Sequence, residues 1–262
     1  MESVNDNTII EVRGLKTAFG PQVIHDDLNL DVYRSEILGI VGGSGTGKSV
    51  LLRTILGLNN AVAGGISLFG KQLNLHENAK HDGTLERRTG VLFQDGALFS
   101  SLTVAENIEV PLKQHLDLPP KLRREIAELK IALVGLAPEA ADKYPSELSG
   151  GMRKRAGLAR ALVLDPEIVF LDEPTAGLDP IGAAAFDNLI KSLKDALGLT
   201  VFMVTHDLDS LHAICDRIAV LAEKRVIIDG DMAAMMECDH PWVAEYFRGP
   251  RARAAVSAQE SA

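Results

Sequence analysis

Between an apolar run, residues 36–41 (EILGIV), and a second apolar stretch carrying Val50, Leu51, Leu52, Ile55 and Leu56, the chain places four glycines, three hydroxyl residues and a lysine. Packing does not explain them, because glycines bring no side chain to a core and weaken any helix or strand they enter. The spacing Gly42-x-x-x-x-Gly47-Lys48-Ser49 is that of a loop whose backbone N–H groups turn inward around phosphate oxygens at the positive end of a helix. In such a loop the lysine reaches the β- and γ-phosphates and the hydroxyl of Ser49 is offered to Mg²⁺. A plain glycine-rich turn would fit the octapeptide alone. The strand-type run before it and the helical spacing after it favour the phosphate loop. Gly42, Gly43, Ser44, Gly45, Thr46, Gly47, Lys48, Ser49 and Val50 are therefore the candidate nucleotide-binding set.

A second constraint lies at residues 168–179, IVFLDEPTAGLD. Four apolar residues make a core strand, and Asp172 and Glu173 stand together at its end. Adjacent carboxylates repel and gain nothing from packing, so a cation or a reaction has to justify them. Asp172 suits the surroundings of Mg²⁺, and Glu173 suits a base that polarises an attacking water. A third stretch, residues 144–162 (YPSELSGGMRKRAGLARAL), puts Ser149, Gly150 and Gly151 at the start of a helix that packs inward through Ala156, Leu158, Ala159 and Leu162. An N-cap explains Ser149. Two glycines in the first turn lower helix stability, which makes sense where something approaches the backbone closely.

The 262 residues suffice for one large α/β domain or a domain with a subdomain. No apolar run approaches the roughly 18 residues that would span a bilayer, and the start, MESVNDN, is too polar for a signal peptide. A cytosolic chain is expected, with Cys215 and Cys238 as reduced structural thiols in no metal-ligand pattern. A net charge of −9 argues against nucleic acid as a partner. Arg153-Lys154-Arg155 is read as the solvated face of a helix, and Arg251-x-Arg253 as part of a disordered tail over 249–262.

Periodicity organises the rest. Residues 8–40 hold two alternating runs with a turn at Gly20-Pro21, and GGISLFG adds a further strand, so a small, largely antiparallel sheet is expected beside the nucleotide-binding core. Residues 74–89 read as a charged loop in which His76 and His81 lack the spacing of helical metal ligands. Over about 97–165 the strand signal gives way to helices. Thr103 and Glu106 form a capping box before Ile108, Val110 and Leu112. Pro119-Pro120 opens a helix whose Leu122, Ile126, Leu129 and Leu133 share one face. Strands return with EIVFLDEP, followed by a helix carrying Phe186, Leu189, Ile190, Leu193 and Leu197 and stopped at Gly198. LTVFMVTHD reads as a buried strand, and DRIAVLAEKRVIIDG as a terminal pair. Alternating β and α imply a parallel sheet with ligands at the carboxyl ends of its strands. Near the end, Trp242, Val243, Tyr246 and Phe247 make one apolar helical face, expected to dock either on its own domain or on a second copy or small partner.

Taken in order, the phosphate loop, LSGGM, FLDEP, GLD and VTHD resemble the nucleotide-binding subunit of ATP-binding cassette transporters over nearly the whole chain. The resemblance implies an α/β, P-loop NTPase domain over 8–248, with a RecA-like parallel core, an antiparallel β-subdomain and an inserted helical subdomain. It also implies ATP and Mg²⁺ as ligands, hydrolysis coupled to transport, and two copies facing head to tail around two ATP molecules. Residue by residue, it makes Phe19 the aromatic that stacks on adenine, where the family often has tyrosine. Gln94 becomes the glutamine joining Mg²⁺ and the attacking water to the membrane partner, and Lys48 and Glu173 catalytic residues. Ser149, Gly150 and Gly151 would reach the ATP of the opposite copy, Asp179 would bridge the two sites, and His206 would hold the γ-phosphate. Met152 in place of glutamine, LFQDGALFSSLTVAENI and DHPWVAEYFRG are similar to the Mla lipid-transport ATPases of Gram-negative bacteria. That similarity implies a membrane permease, an Mce-type substrate-binding protein, a small STAS-fold partner and a position at the cytoplasmic face of the inner membrane. Leu98 or Phe99, after Gln94, would lie beside a permease helix.

Overall fold

The computed structural model describes residues 7–75 and 83–249. In chain order these form β1 (Thr8–Phe19), β2 (Gln22–Tyr33), β3 (Ile37–Gly42), α1 (Lys48–Ile55), β4 (Ala63–Leu68) and β5 (Lys71–Gln72). There follow α2 (Gly83–Arg88), β6 (Thr89–Leu92), α3 (Val104–His115), α4 (Pro120–Leu133), α5 (Gly150–Ala161), β7 (Ile168–Asp172) and α6 (Pro180–Leu197). The chain ends with β8 (Thr200–Val204), α7 (Leu208–Ile214), β9 (Arg217–Ala222), β10 (Arg225–Gly230), α8 (Met232–Glu237) and α9 (Pro241–Arg248). Two compact units result, one of residues 1–80 and 202–262, the other of residues 81–201. None of the described helices is long and apolar enough to cross a membrane.

In the first unit the alternation of β1 turns Ile10, Val12 and Leu15 inward, and β2 answers with Leu28 and Leu30. The two pair antiparallel, with Val12 opposite Leu30 on one side and opposite Ile66 of β4 on the other, giving the order β2-β1-β4-β5. This is the expected antiparallel subdomain. By contrast β3 is a continuous apolar run, buried from Ile37 to Val41, as a strand covered on both faces requires. It runs parallel to β9, with Ile40 opposite Ala219. Thr205, just past β8, donates its N–H to the Ile40 carbonyl at 3.2 Å. β9 and β10 form the expected terminal pair, turning at Glu223 and Lys224, whose φ angles of 50° and 66° suit a tight hairpin. Cys215 and Cys238 form no disulfide.

The helical face near the end docks on this same unit. Val243 and Phe247 are fully buried against Val41, Leu211, Ile218, Val220 and Met235. Of the two expectations for that face, attachment to its own domain is what the described residues show. The tail expected to be disordered lies outside the described residues beyond Gly249, with Arg251 and Arg253.

In the second unit β6 and β7 pair parallel, Val91 opposite Phe170. The capping box forms as read: Glu106 N–H donates to Thr103 Oγ1 at 3.3 Å and Thr103 N–H to Glu106 Oε2 at 2.8 Å. α3, α4 and α5, with short 3₁₀ turns at Pro138–Asp142 and Pro145–Glu147, occupy the stretch expected to be helical. Two expectations need correction. The charged loop over 74–89 is partly α2 and the first residue of β6; His76 and His81 lie outside the described residues. The face of α4 is also rotated. Leu122, Leu129 and Leu133 are exposed, Leu129 by 66%, while Ala127, Lys130 and Ile131 are buried. A neighbouring stripe, Ala127, Ile131 and Val134, has the same helical spacing, and Lys130 joins it by burying its methylene stem while its ammonium pairs with Asp165.

Candidate nucleotide site

The predicted site residues fall into two groups, one in each unit. In the first, β3 delivers the chain into the phosphate loop, and α1 begins at Lys48. Gly45 and Gly47 have φ of 77° and 98°, the left-handed angles that let consecutive N–H groups face one way. Thr46 Oγ1 donates to the Gly43 carbonyl at 2.9 Å, and Lys48 Nζ to the carbonyls of Gly42 and Gly43 at 2.8 and 3.1 Å. Gly47 is required twice over: a Cβ there would lie 2.5 Å from both His25 Nε2 and Ile24 Cγ2.

His25 is a residue that sequence reasoning passed over. It is fully buried beneath the loop, with Nδ1 bonded to Thr17 Oγ1 at 2.8 Å and Nε2 against the Gly47 backbone without a well-formed hydrogen bond. Burial drives its pKa down from near 6.5 to about 4, against a smaller upward pull from the Gly47 backbone. The imidazole is thus neutral at physiological pH. Between the two values the unfolded chain binds the extra proton and the folded chain does not, so stability declines as pH falls from 6.5 to about 4. The decline attributable to this group is roughly 3 kcal/mol. Chemical denaturation across that range should show a steeper acid limb in the wild type than in His25→Gln; identical limbs would mean that His25 titrates normally.

Thr17 lies two residues before Phe19, whose ring is 55% exposed at the end of β1 and free to meet a planar ligand. Ser44 is exposed within the loop, and Ser49 and Val50, in the first turn of α1, are half-buried. His206 follows β8 and is exposed; its carbonyl accepts a hydrogen bond from Tyr246 Oη at 2.8 Å.

In the second unit Asp172 closes β7 and is buried, and Glu173 comes next with φ of 51°. A non-glycine residue there carries backbone strain, which concentrates at functional sites. No sequence pattern announces it. Gln94 lies just after β6 with its side chain exposed. The connection between them is Lys154: its ammonium donates to the Gln94 carbonyl at 2.8 Å and to the Glu173 carbonyl at 3.1 Å. The basic run 153–155 is therefore not a solvated face. Lys154 is buried, Arg153 bonds the Leu148 carbonyl, and Arg155 bonds that of Val134. Burial lowers the pKa of Lys154, with Asp95 and Glu173 pulling it back up.

Ser149 caps α5, accepting from Met152 N–H at 3.2 Å. A Cβ on Gly150 would meet nothing within 4 Å, and one on Gly151 only Leu178 at 3.7 Å. Neither glycine is demanded by the chain's own packing, as expected where another molecule comes close. Asp179 is exposed and caps α6 through Gly182 N–H at 3.0 Å. Its cap role accounts for one carboxylate oxygen and leaves the bridging role unassigned.

In the first unit the inward-turning loop and Lys48 suit phosphate oxygens, and Ser49 offers a hard oxygen of the kind Mg²⁺ takes; in the second, Asp172 and Gln94 carry oxygens of the same kind.

The chain matches the ABC transporter family over residues 25–176. It is 39% identical to the intermembrane phospholipid transport ATP-binding protein MlaF of Haemophilus influenzae, over 94% of this chain and 92% of that protein. Against MlaF of Escherichia coli K12 the identity is 36%, covering 92% and 89%. It is also 39% identical to the probable ribonucleotide transport ATP-binding protein mkl of Mycobacterium leprae, over 92% of this chain and 69% of that one. Among solved structures, the dimeric bacterial ABC transporter cassette MJ0796 superposes with a TM-score of 0.75 at 28% identity, over 85% of this chain and 98% of that one, and has also been seen with ADP and phosphate bound. cbiO1 of Clostridium perfringens gives 0.78 at 28% identity, over 97% and 99%. The phosphate loop, the paired carboxylates and the glycine-led α5 thus sit in a P-loop cassette fold, and the chain belongs to the ABC transporter family as an ATP-binding, ATP-hydrolysing subunit.

Proposed function

We propose that two copies of this chain, bound at the cytoplasmic face of a bacterial inner membrane, hydrolyse Mg-ATP to drive a permease that moves phospholipid between the inner and outer membranes. In this reading Gly42 to Val50 hold the phosphates, Phe19 stacks on adenine, and Ser149, Gly150 and Gly151 reach the ATP of the other copy. Asp179 links the two sites. Ser49, Gln94 and Asp172 would hold Mg²⁺, which when bound would supply charge neutralisation to the triphosphate. Glu173 polarises the attacking water, and His206 holds the γ-phosphate and orients that water. Hydrolysis is then largely positioning and charge stabilisation.

Coupling to the permease runs through the loop after Gln94. Phe99 is 53% exposed there. Fully buried Asn107 fixes the loop, its Nδ2 donating to the carbonyls of Phe99, Leu102 and Thr103 at 3.1, 3.1 and 2.9 Å and its Oδ1 accepting from Phe99 N–H at 2.7 Å. A large aromatic held out by a rigid loop is suited to an interface.

The observation that carries the choice of cargo is two-way coverage. The MlaF proteins align over about nine tenths of both chains, whereas mkl at the same identity has nearly a third of its length unmatched. The Mla reading brings with it an Mce-type substrate-binding protein and, as a further partner, a STAS-fold protein. The test is co-purification with an Mla-type permease and reconstitution in phospholipid vesicles. ATP-dependent transfer of labelled phospholipid is expected; ribonucleotide uptake without lipid transfer would favour the mkl-type cargo.

A further inference from the structure

α9 is anchored by Val243 and Phe247, which pack against Val41. Val41 is the residue before Gly42, so the helix is fixed beneath the strand that launches the phosphate loop. Trp242 and Tyr246, one turn apart on the same helix, stack with ring centroids 4.8 Å apart and planes inclined by 14°. Phe247 meets the Tyr246 ring edge-on at 5.0 Å and 78°, which holds that ring in place. At one end of the stack, Trp242 lies along the phosphate loop: a Cβ on Gly43 would be 3.5 Å from its Nε1. At the other end, Tyr246 Oη donates to the His206 carbonyl at 2.8 Å. Packing alone would be satisfied by phenylalanine at 246. The hydroxyl serves the backbone of His206.

We infer that Trp242 and Tyr246 are positioning residues for ATP hydrolysis, a stacked aromatic brace through which the C-terminal helix sets the phosphate loop and His206 relative to each other. The inference rests on the reading of His206 as the γ-phosphate residue. A rigid pair of rings resists both approach and separation, and the Tyr246 Oη hydrogen bond fixes the backbone of a residue whose side chain must meet a phosphate. The brace also makes the nucleotide site sensitive to whatever binds or bends α9.

The experiment compares Tyr246→Phe, Trp242→Leu and His206→Ala in the full-length chain. Loss of one hydrogen bond should lower kcat of Tyr246→Phe by about two- to tenfold. Its KM for ATP and its melting temperature should stay near wild type. Trp242 is the only tryptophan in the chain, so its emission should shift on addition of saturating Mg-ATP. Trp242→Leu should lower kcat as well. Wild-type turnover in Tyr246→Phe alongside a crippled His206→Ala would overturn the brace and leave the role of His206 standing. Wild-type turnover in His206→Ala would overturn both. A fall in melting temperature with kcat intact, or Trp242 emission unmoved while ATP binding is shown by calorimetry, would reduce the aromatics to core filling and overturn the inference.

Discussion

Glu173→Gln should bind ATP about as well as the wild type and hydrolyse it about 10²–10⁴-fold more slowly, the range expected when a positioned general base is removed. The substitution keeps the size and hydrogen-bonding reach of the side chain, so the backbone at φ 51° and the Lys154 bond to the Glu173 carbonyl are retained. What is lost is the negative charge that, in the proposed reading, polarises water. The loss should therefore appear in kcat and leave nucleotide affinity alone. Steady-state phosphate release together with equilibrium ATP binding separates the two. A variant hydrolysing at near-wild-type rate would remove Glu173 from the role and leave its backbone strain without a purpose.

Lys154→Met should cost both stability and turnover. Methionine replaces the buried methylene stem, but the carbonyls of Gln94 and Glu173 lose their shared donor. Two part-buried acceptors stripped of a charged partner amount to about 2–4 kcal/mol. The same ammonium fixes the backbone at both residues read as handling the attacking water, so kcat should fall by more than about tenfold, the factor that some 1.4 kcal/mol of lost positioning produces. Lys154→Arg retains a cationic donor and should recover part of each loss. Urea denaturation and phosphate release on the three proteins check this. An unfolding midpoint and a turnover both unchanged in Lys154→Met would show that the two carbonyl contacts carry no weight.

Lys154 also marks the limit of what the sequence discloses. Three consecutive basic residues look like a solvated face, because charge composition cannot show that backbone carbonyls from residues 60 and 19 positions away converge on one ammonium. The phosphate loop was legible for the opposite reason: its chemistry depends on local backbone geometry, and glycine spacing records that geometry directly. β3 and β7 were legible as uninterrupted apolar runs, and the capping box as a four-residue pattern. On α4 two adjacent stripes share the helical period, and only the partners of the helix decide which is buried. The strain at Glu173 follows from a turn that glutamate does not favour, so composition is silent on it. His25 reads as one residue in an alternating strand until Gly47 is seen to rest on it.

The proposed function requires each ATP to be shared between two copies, with the phosphate loop of one facing Ser149 of the other. Light scattering on Glu173→Gln tests this most directly. Without nucleotide the mass should be that of one chain; with saturating Mg-ATP it should be that of two. Adding Ser149→Arg to the same chain should leave ATP binding in place and abolish the doubling. A mass that stays at one chain under saturating ATP, or a doubling that survives Ser149→Arg, would contradict it.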